Sequence, residues 1–307
     1  MTKALFTTLA LSASLAGAQA QFPLTLRHDL GTTTLQAAPK RVVVLSEEAA
    51  ELLAVLNVKP VGFGSARLQG AQLGERLTTL TSPAGPSLGA PQFVGSSLQP
   101  SIEAILALKP DLIVMLKNDG QGAYGALSRV APTLAYDFNA GGTGWRKALS
   151  EVGKLFGREA QARRYLSQYD ARVQTLKTQL APVTKSAPRT TLLYLFQAQN
   201  VMALGEKFAF ANALKELGLA LNMPSGVHAD TVFSVLSPEA LVGLQTDRAL
   251  VLRLKVNGAL LPRTPMDDVL ARAKVNVVTY PLDPQEPSTG PLTDLKRVEA
   301  IAKLLKR

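Results

Sequence analysis

Ser101-Ile102-Glu103-Ala104-Ile105 leads through Leu108 to Asp111 and the apolar run Leu112-Ile113-Val114-Met115. Much later the chain repeats itself: Ser237-Pro238-Glu239-Ala240-Leu241 leads through Leu244 to Asp247 and then Ala249-Leu250-Val251-Leu252. In both copies the glutamate stands two residues after the serine, the leucine five residues after the glutamate and the aspartate eight. Each copy therefore reads as a capping serine, a short helix, a tight turn at aspartate and a buried strand. A helix feeding a strand twice, far apart in one chain, predicts an α/β protein with two similar Rossmann-like lobes. Clefts between lobes are preferred sites for ligands.

The segments around the repeat fit this plan. Residues 22–38 alternate apolar and polar around Gly31 and predict a short hairpin, and Val42-Val43-Val44-Leu45 reads as a buried parallel strand. Ser46 is placed to cap a helix over Glu47–Leu56 whose first turn is acidic. Val58–Phe63 gives another strand, and the Gly/Pro-rich stretch to Pro91 a long loop at the cleft mouth. From Trp145 to Ala181 the apolar residues recur at helical spacing, which predicts one long element joining the lobes; Gly153 and Gly157 leave room for a kink or for two helices. The second lobe opens with Thr190–Phe196 and closes with a strand at Val275–Tyr280 and a helix over Leu292–Leu305. The expected organisation is residues 1–20 as a signal peptide, 21–144 as the first lobe, 145–181 as the linking helix and 182–307 as the second lobe. One helix between lobes restricts hinge motion, so closure on a ligand is expected to be modest.

Residues 1–20 carry Lys3, the apolar stretch Ala4–Ala16 and Ala18-Gln19-Ala20, a small-residue cleavage site. The apolar part is too short to span a bilayer, so export with cleavage before Gln21 is expected. With no cysteine anywhere, the chain has no disulfide, thiolate metal site or lipid-anchoring residue. The formal charge of +10 fits either a basic surface or an anionic ligand steered into a basic cleft. Scattered basic residues without interleaved aromatics argue against nucleic acid.

Several of these segments resemble a known family, the periplasmic binding proteins for ferric siderophores and cobalamin. The resemblance is carried by Arg41-Val42-Val43-Val44-Leu45-Ser46, Lys59-Pro60-Val61-Gly62, Val94-Gly95, Gln99–Ile105 with Leu108–Ile113, and Ala131-Pro132-Thr133. It implies a helix-linked bilobal fold and a monomeric protein, not an enzyme, that delivers an iron complex to the permease dimer of an ABC importer. It also implies a periplasmic location and no resident cofactor, the ferric siderophore being cargo. One exposed glutamate per lobe docks on the permease in that family, and Glu103 and Glu239 match those positions. Read from the residues alone, both could simply stabilise helix N-termini. Ser97 stands where ferric-citrate and ferric-hydroxamate binders often carry an arginine, which leaves the chelate open.

Ligands of α/β lobes sit beyond the carboxyl ends of the strands. Those loops hold Ser65, Arg67, Lys117, Asn118, Gln197, Gln199, Arg253, Lys255 and Tyr280, with Trp145 at the start of the long helix. Arg67, Lys117, Arg253 and Lys255 are expected to converge on an anionic ferric chelate, with Trp145, Phe208 and Tyr280 packing on its organic shell. A direct metal site is disfavoured, since His28 and His228 are the only histidines. His28 is expected at the surface; His228, in a candidate cleft loop, could ligate haem with Tyr280. A cobalamin or haem carrier is thus the alternative within the fold. An exported α/β hydrolase would require Ser46 or Ser65 beside His228, and no nucleophile elbow, zinc-protease or P-loop motif is present.

Overall fold

Continuous apolar runs bounded by turn residues become buried strands, and they organise two sheets. The computed structural model describes residues 21–68, 70–77, 87–140, 144–197 and 200–306. The expected signal peptide at 1–20 and Gln199 lie outside the described residues. A hairpin, β1 (Leu24–His28) and β2 (Gly31–Leu35), leads into the first lobe. That lobe comprises β3 (Val42–Leu45), α1 (Glu47–Val55), β4 (Gly62–Phe63), β5 (Gln92–Phe93), α2 (Ile102–Ala107), β6 (Leu112–Leu116), α3 (Lys117–Gly120), α4 (Tyr124–Val130) and β7 (Thr133–Tyr136). Its five strands are parallel in the order β5-β4-β3-β6-β7.

Next come α5 (Gly144–Leu155) and α6 (Glu159–Ser186). The second lobe holds β8 (Arg189–Gln197), β9 (Asn200–Leu204), α7 (Ala209–Glu216), β10 (Ala220–Leu221), β11 (Phe233–Leu236), α8 (Pro238–Val242), β12 (Arg248–Val256), β13 (Ala259–Leu260), α9 (Pro265–Arg272), β14 (Asn276–Leu282) and α10 (Pro291–Leu305). Here β10, β8, β12 and β14 pair in parallel, while β9, β11 and β13 add antiparallel edges. The second sheet is therefore mixed where the first is purely parallel. Among the described residues no helix is long and apolar enough to cross a membrane.

The repeat folds the same way twice. Ser101 and Ser237 accept the backbone N–H of Ala104 and Ala240 and cap α2 and α8. Asp111 accepts the N–H groups of Lys40 and Arg41 just before β3; Asp247 accepts that of Arg189 at the start of β8. Each repeat aspartate thus pins its helix–strand turn to the neighbouring parallel strand. From the glutamate onward the two helices bury the same positions, Ile105 and Leu108 in one, Leu241 and Leu244 in the other.

The element expected over 145–181 divides in two. Gly157 adopts φ +60°, and the N–H groups of Gly157 and Arg158 return to the carbonyls of Lys154 and Gly153, which closes α5. α5 packs into the first core through Trp145, Leu149, Val152 and Leu155. The linking helix is α6, whose 28 residues span about 42 Å. Its early residues Ala162 and Tyr169 enter the first core, and Leu176 and Leu180 the second. Pro182, expected to end the helix, lies inside it: a proline in the final turns forfeits few backbone bonds, and Val183 still packs on the second core.

α10 is a second strut that the sequence did not reveal. Its Leu292 packs on the first core, Leu295 on both, and Val298, Ile301 and Leu305 lie in the second. It runs alongside α6 in the same direction, through Tyr165 to the Pro291 carbonyl, Arg172 to Glu299 and Lys306 to Gln179. The segment between β14 and α10 returns to the first lobe before α10 crosses back.

Candidate functional site between the lobes

A cavity of about 1040 Å³ opens between the lobes. The first lobe contributes Arg67 after β4, Asn118 after β6, and Asp137 and Asn139 after β7. The second contributes Tyr194 from β8, Leu254 from β12, Leu282 at the end of β14, and Phe208, Phe210, Asn212 and Lys215 on and around α7. The crossing segment supplies Asp283, Pro284, Glu286, Pro287 and Ser288. The cavity thus lies at the carboxyl ends of parallel strands from both lobes, where α/β sheets place ligands.

Arg67 reaches the cavity as part of a charged cluster. Its guanidinium contacts Glu47 Oε2 at 2.9 Å and Glu48 Oε1 at 3.3 Å. Ser65 donates its hydroxyl to Glu47 and accepts the N–H groups of Arg67 and Leu68, so it shapes the loop that carries the arginine. Burial pushes the Glu47 carboxyl up, partly offset by Ser65 and Arg67. Glu48, fully buried, also accepts the N–H and hydroxyl of Ser288, which ties the crossing segment to α1. The adjacent glutamates are therefore a clamp on Arg67 and Ser288 as well as first-turn acids of a helix.

Opposite Arg67 stands an aromatic wall. Phe208 and Phe210 stack with centroids 5.8 Å apart, and Arg297 covers the other ring at 4.1 Å from the Phe210 centroid. Tyr280 meets Phe210 edge-on at 5.0 Å, only 4% exposed, with its hydroxyl on Glu286. It backs the wall without lining the cavity. Phe210 and Tyr194, which do line it, were missed because an apolar residue at helical or strand spacing reads as core.

Of the eight ligand-binding residues expected from sequence, Arg67 and Phe208 line the cavity. The expected convergence of four cations is not found. Arg253 is 7% exposed and held by Asp267 and the carbonyls of Leu261 and Pro262. Lys255 lies where β12 continues past the cleft to pair with β13. Lys117 opens α3, with its neighbour Asn118 on the cavity wall instead. Ser65 is buried beneath the Arg67 loop. Trp145 is 1% exposed, donating its Nε1–H to Asp294 Oδ2 at 2.9 Å and packed edge-on against Tyr169. It cements the first lobe to α10. Gln197 ends β8.

Two other expectations change. His28, expected at the surface, is 4% exposed, bonded to Thr33 and Tyr124, and burial lowers its pKa. The hairpin folds over the β7 edge, where Thr33 donates to the Thr133 carbonyl, and covers it. His228 is exposed and does not line the cavity. Ser46 accepts the Ala49 N–H as helix cap and Ser65 bonds to Glu47, so neither serine is paired with a histidine among the described residues. No cluster of metal-ligating side chains occurs among the described residues. Ser97, at the position discussed above, is buried and donates to Asp119.

A model of the family described as periplasmic binding protein matches residues 42–258, well over half the chain. This chain belongs to that family. Among curated relatives of this periplasmic binding protein is the ferric enterobactin-binding periplasmic protein FepB of Escherichia coli O6:H1, 27% identical over 73% of this chain and 70% of FepB. The Fe(3+) dicitrate-binding periplasmic protein FecB of Escherichia coli K12 is 32% identical over 54% of this chain and 53% of its own length. Solved structures share the fold of this binding protein. Staphylococcus aureus SirA complexed with staphyloferrin B superposes with a TM-score of 0.68 at 23% identity, over 92% of this chain and 98% of SirA. The petrobactin-binding protein YclQ of Bacillus subtilis gives 0.71 at 18% identity, over 92% and 99%. The two-lobed architecture with a long connecting helix is common to them.

Proposed function

We propose that this protein is the periplasmic substrate-binding component of an ABC importer, capturing a ferric siderophore between its lobes and delivering it to an inner-membrane permease dimer. One observation carries the reading: the cavity of about 1040 Å³, built from strand ends of both lobes, is at the top of the range of small-molecule sites, about 300–1,000 Å³. A siderophore complex is a bulky cargo of that order. The relatives named for ferric enterobactin and ferric dicitrate support the same class. The protein acts after export, with residues 1–20 removed, as a monomer that binds and releases without chemistry.

The permease-facing surface carries Glu103 and Glu239. Both are exposed in the first turn of a repeat helix. One helical turn on, each is followed by an exposed apolar residue, Leu106 at 58% and Val242 at 45%. A glutamate with an apolar neighbour, presented once per lobe, suits the two equivalent halves of a permease dimer. A haem carrier is less well served: the described cavity wall includes no histidine, and the Tyr280 hydroxyl is engaged by Glu286.

The test is a thermal-shift screen of metal-free protein against ferric siderophores, cobalamin and haem. A ligand present at 100 times its Kd stabilises the folded state by about 2.7 kcal/mol. Stabilisation by cobalamin or haem with none by any ferric siderophore would reject the proposal.

A further inference from the structure

The charge on the cavity wall is opposite to that of the whole chain. The chain carries +10 formally, yet the described wall has four cations against five carboxylates. Three of the cations are already matched. Arg67 is held by Glu47 and Glu48, Lys215 by Glu206 at 3.1 Å, and Arg297 by Glu286 and Asp294 at 2.8 Å each. Lys207 alone has no ion pair among the described residues.

Three wall carboxylates, Asp137, Asp230 and Asp283, have no cationic partner among the described residues. Among the described residues, Asp137 and Asp283 accept only nearby backbone N–H groups, from Asn139 and Gln285. Asp230 and Asp283 are exposed to the cleft solvent. The undescribed stretches at 69, 78–86, 141–143 and 198–199 contain no ionisable side chain, so they leave this balance unchanged. A second observation points the same way. Asn139 Oδ1 is buried on the wall without a hydrogen-bond partner among the described residues, an acceptor that a ligand N–H would satisfy.

We propose that the cleft selects a ferric chelate without net negative charge, of the trihydroxamate type, and favours one carrying a protonated amine. This rests on the siderophore reading above and narrows it. Three hydroxamates neutralise ferric iron, whereas three catecholates leave a trianion and citrate complexes are anionic. A trianion entering this cleft would face unpaired carboxylates while the arginines that could receive it are already engaged. A neutral chelate instead meets Phe208, Leu254 and Leu282 with its aliphatic linkers, and a terminal ammonium finds Asp230 or Asp283.

Calorimetric titration of the full-length mature protein separates the alternatives. The probes are a ferric linear trihydroxamate with a free amine, its N-acetylated neutral counterpart, a ferric triscatecholate and ferric dicitrate, each at low and high salt. Both trihydroxamates should bind at least about tenfold more tightly than either anion, and salt should weaken only the cationic form. Asp230→Asn with Asp283→Asn, both exposed substitutions that should leave the melting temperature in place, should erase the preference of about three- to tenfold for the amine-bearing chelate. Tightest binding by the triscatecholate or by ferric dicitrate would overturn this inference and leave siderophore capture standing. Binding of none of the four would overturn both.

Discussion

Replacing Glu51 by glutamine probes the joint that holds the lobes together. Glu51 projects from α1 and is 1% exposed. Its Oε2 accepts the N–H groups of Leu292 and Thr293, at 2.9 and 3.0 Å, and its Oε1 bonds the Thr293 hydroxyl. α10 has Gly290 as its N-cap, with no side chain to serve those donors, so a glutamate some 240 residues earlier serves them. Burial outweighs these bonds and pushes the Glu51 carboxyl up from 4.5 to about 8. The native state therefore keeps a proton that the unfolded chain releases. Its stabilising effect is complete below about pH 4.5 and is lost as pH rises through 8. At about 1.4 kcal/mol per pH unit, the interval corresponds to roughly 5 kcal/mol, or roughly 10 °C in Tm for a chain of this size. Asp294, pushed up to about 6 by burial, adds a loss of the same sign between 3.8 and 6.

Glutamine keeps an acceptor for the two N–H groups and has no proton to lose. Glu51→Gln should match the wild type within about 1 kcal/mol at pH 5 and exceed it by several kcal/mol at pH 8.5. Trp145 is the single tryptophan and sits at this joint, so its fluorescence during urea unfolding, recorded from pH 5 to 8.5, reports the relevant transition. Parallel stability curves for wild type and variant would refute the argument. They would mean that the helix N-terminus holds Glu51 ionised in spite of its burial.

Three further outcomes are expected. Glu103→Ala with Glu239→Ala should leave chelate affinity within about twofold and abolish most uptake by the reconstituted importer, because both residues are exposed away from the cavity; normal transport would leave them as helix-dipole partners only. Gly290→Ala should destabilise by about 2–4 kcal/mol in calorimetry, since the backbone holds φ +152° and the new Cβ would stand 2.4 Å from Glu51 Oε2. Trp145→Phe removes a donor from buried Asp294, which retains Thr289 and Arg297, so about 1–3 kcal/mol of stability should be lost with chelate affinity unchanged; a tenfold weaker affinity would return Trp145 to the cleft.

The sequence by itself determined the local pieces and their likeness. Capped helix, aspartate turn and buried strand are encoded within about fifteen consecutive residues, so the copies at 101–115 and 237–252 were legible as two lobes. The sequence predicted one element over 145–181 and left a kink or two helices open at Gly153 and Gly157; the structure puts the left-handed turn that closes α5 at Gly157. Arg67, which the strand-end rule picked out, lines the cavity, and so does Phe208 at the N-cap of α7, which was expected as an aromatic contact. What only the tertiary structure decided is which charges remain free. Arg253 and Arg67 look alike in sequence, but one is spent on Asp267 behind the cleft and the other is clamped by two glutamates at its edge. Trp145 and Glu51 likewise owe their roles to α10, on the far side of the chain. Caps and hydrophobic periods act between residues a few positions apart and are written where they act. Charge pairing and desolvation act through space between distant segments, and they exist only once the lobes have been brought together.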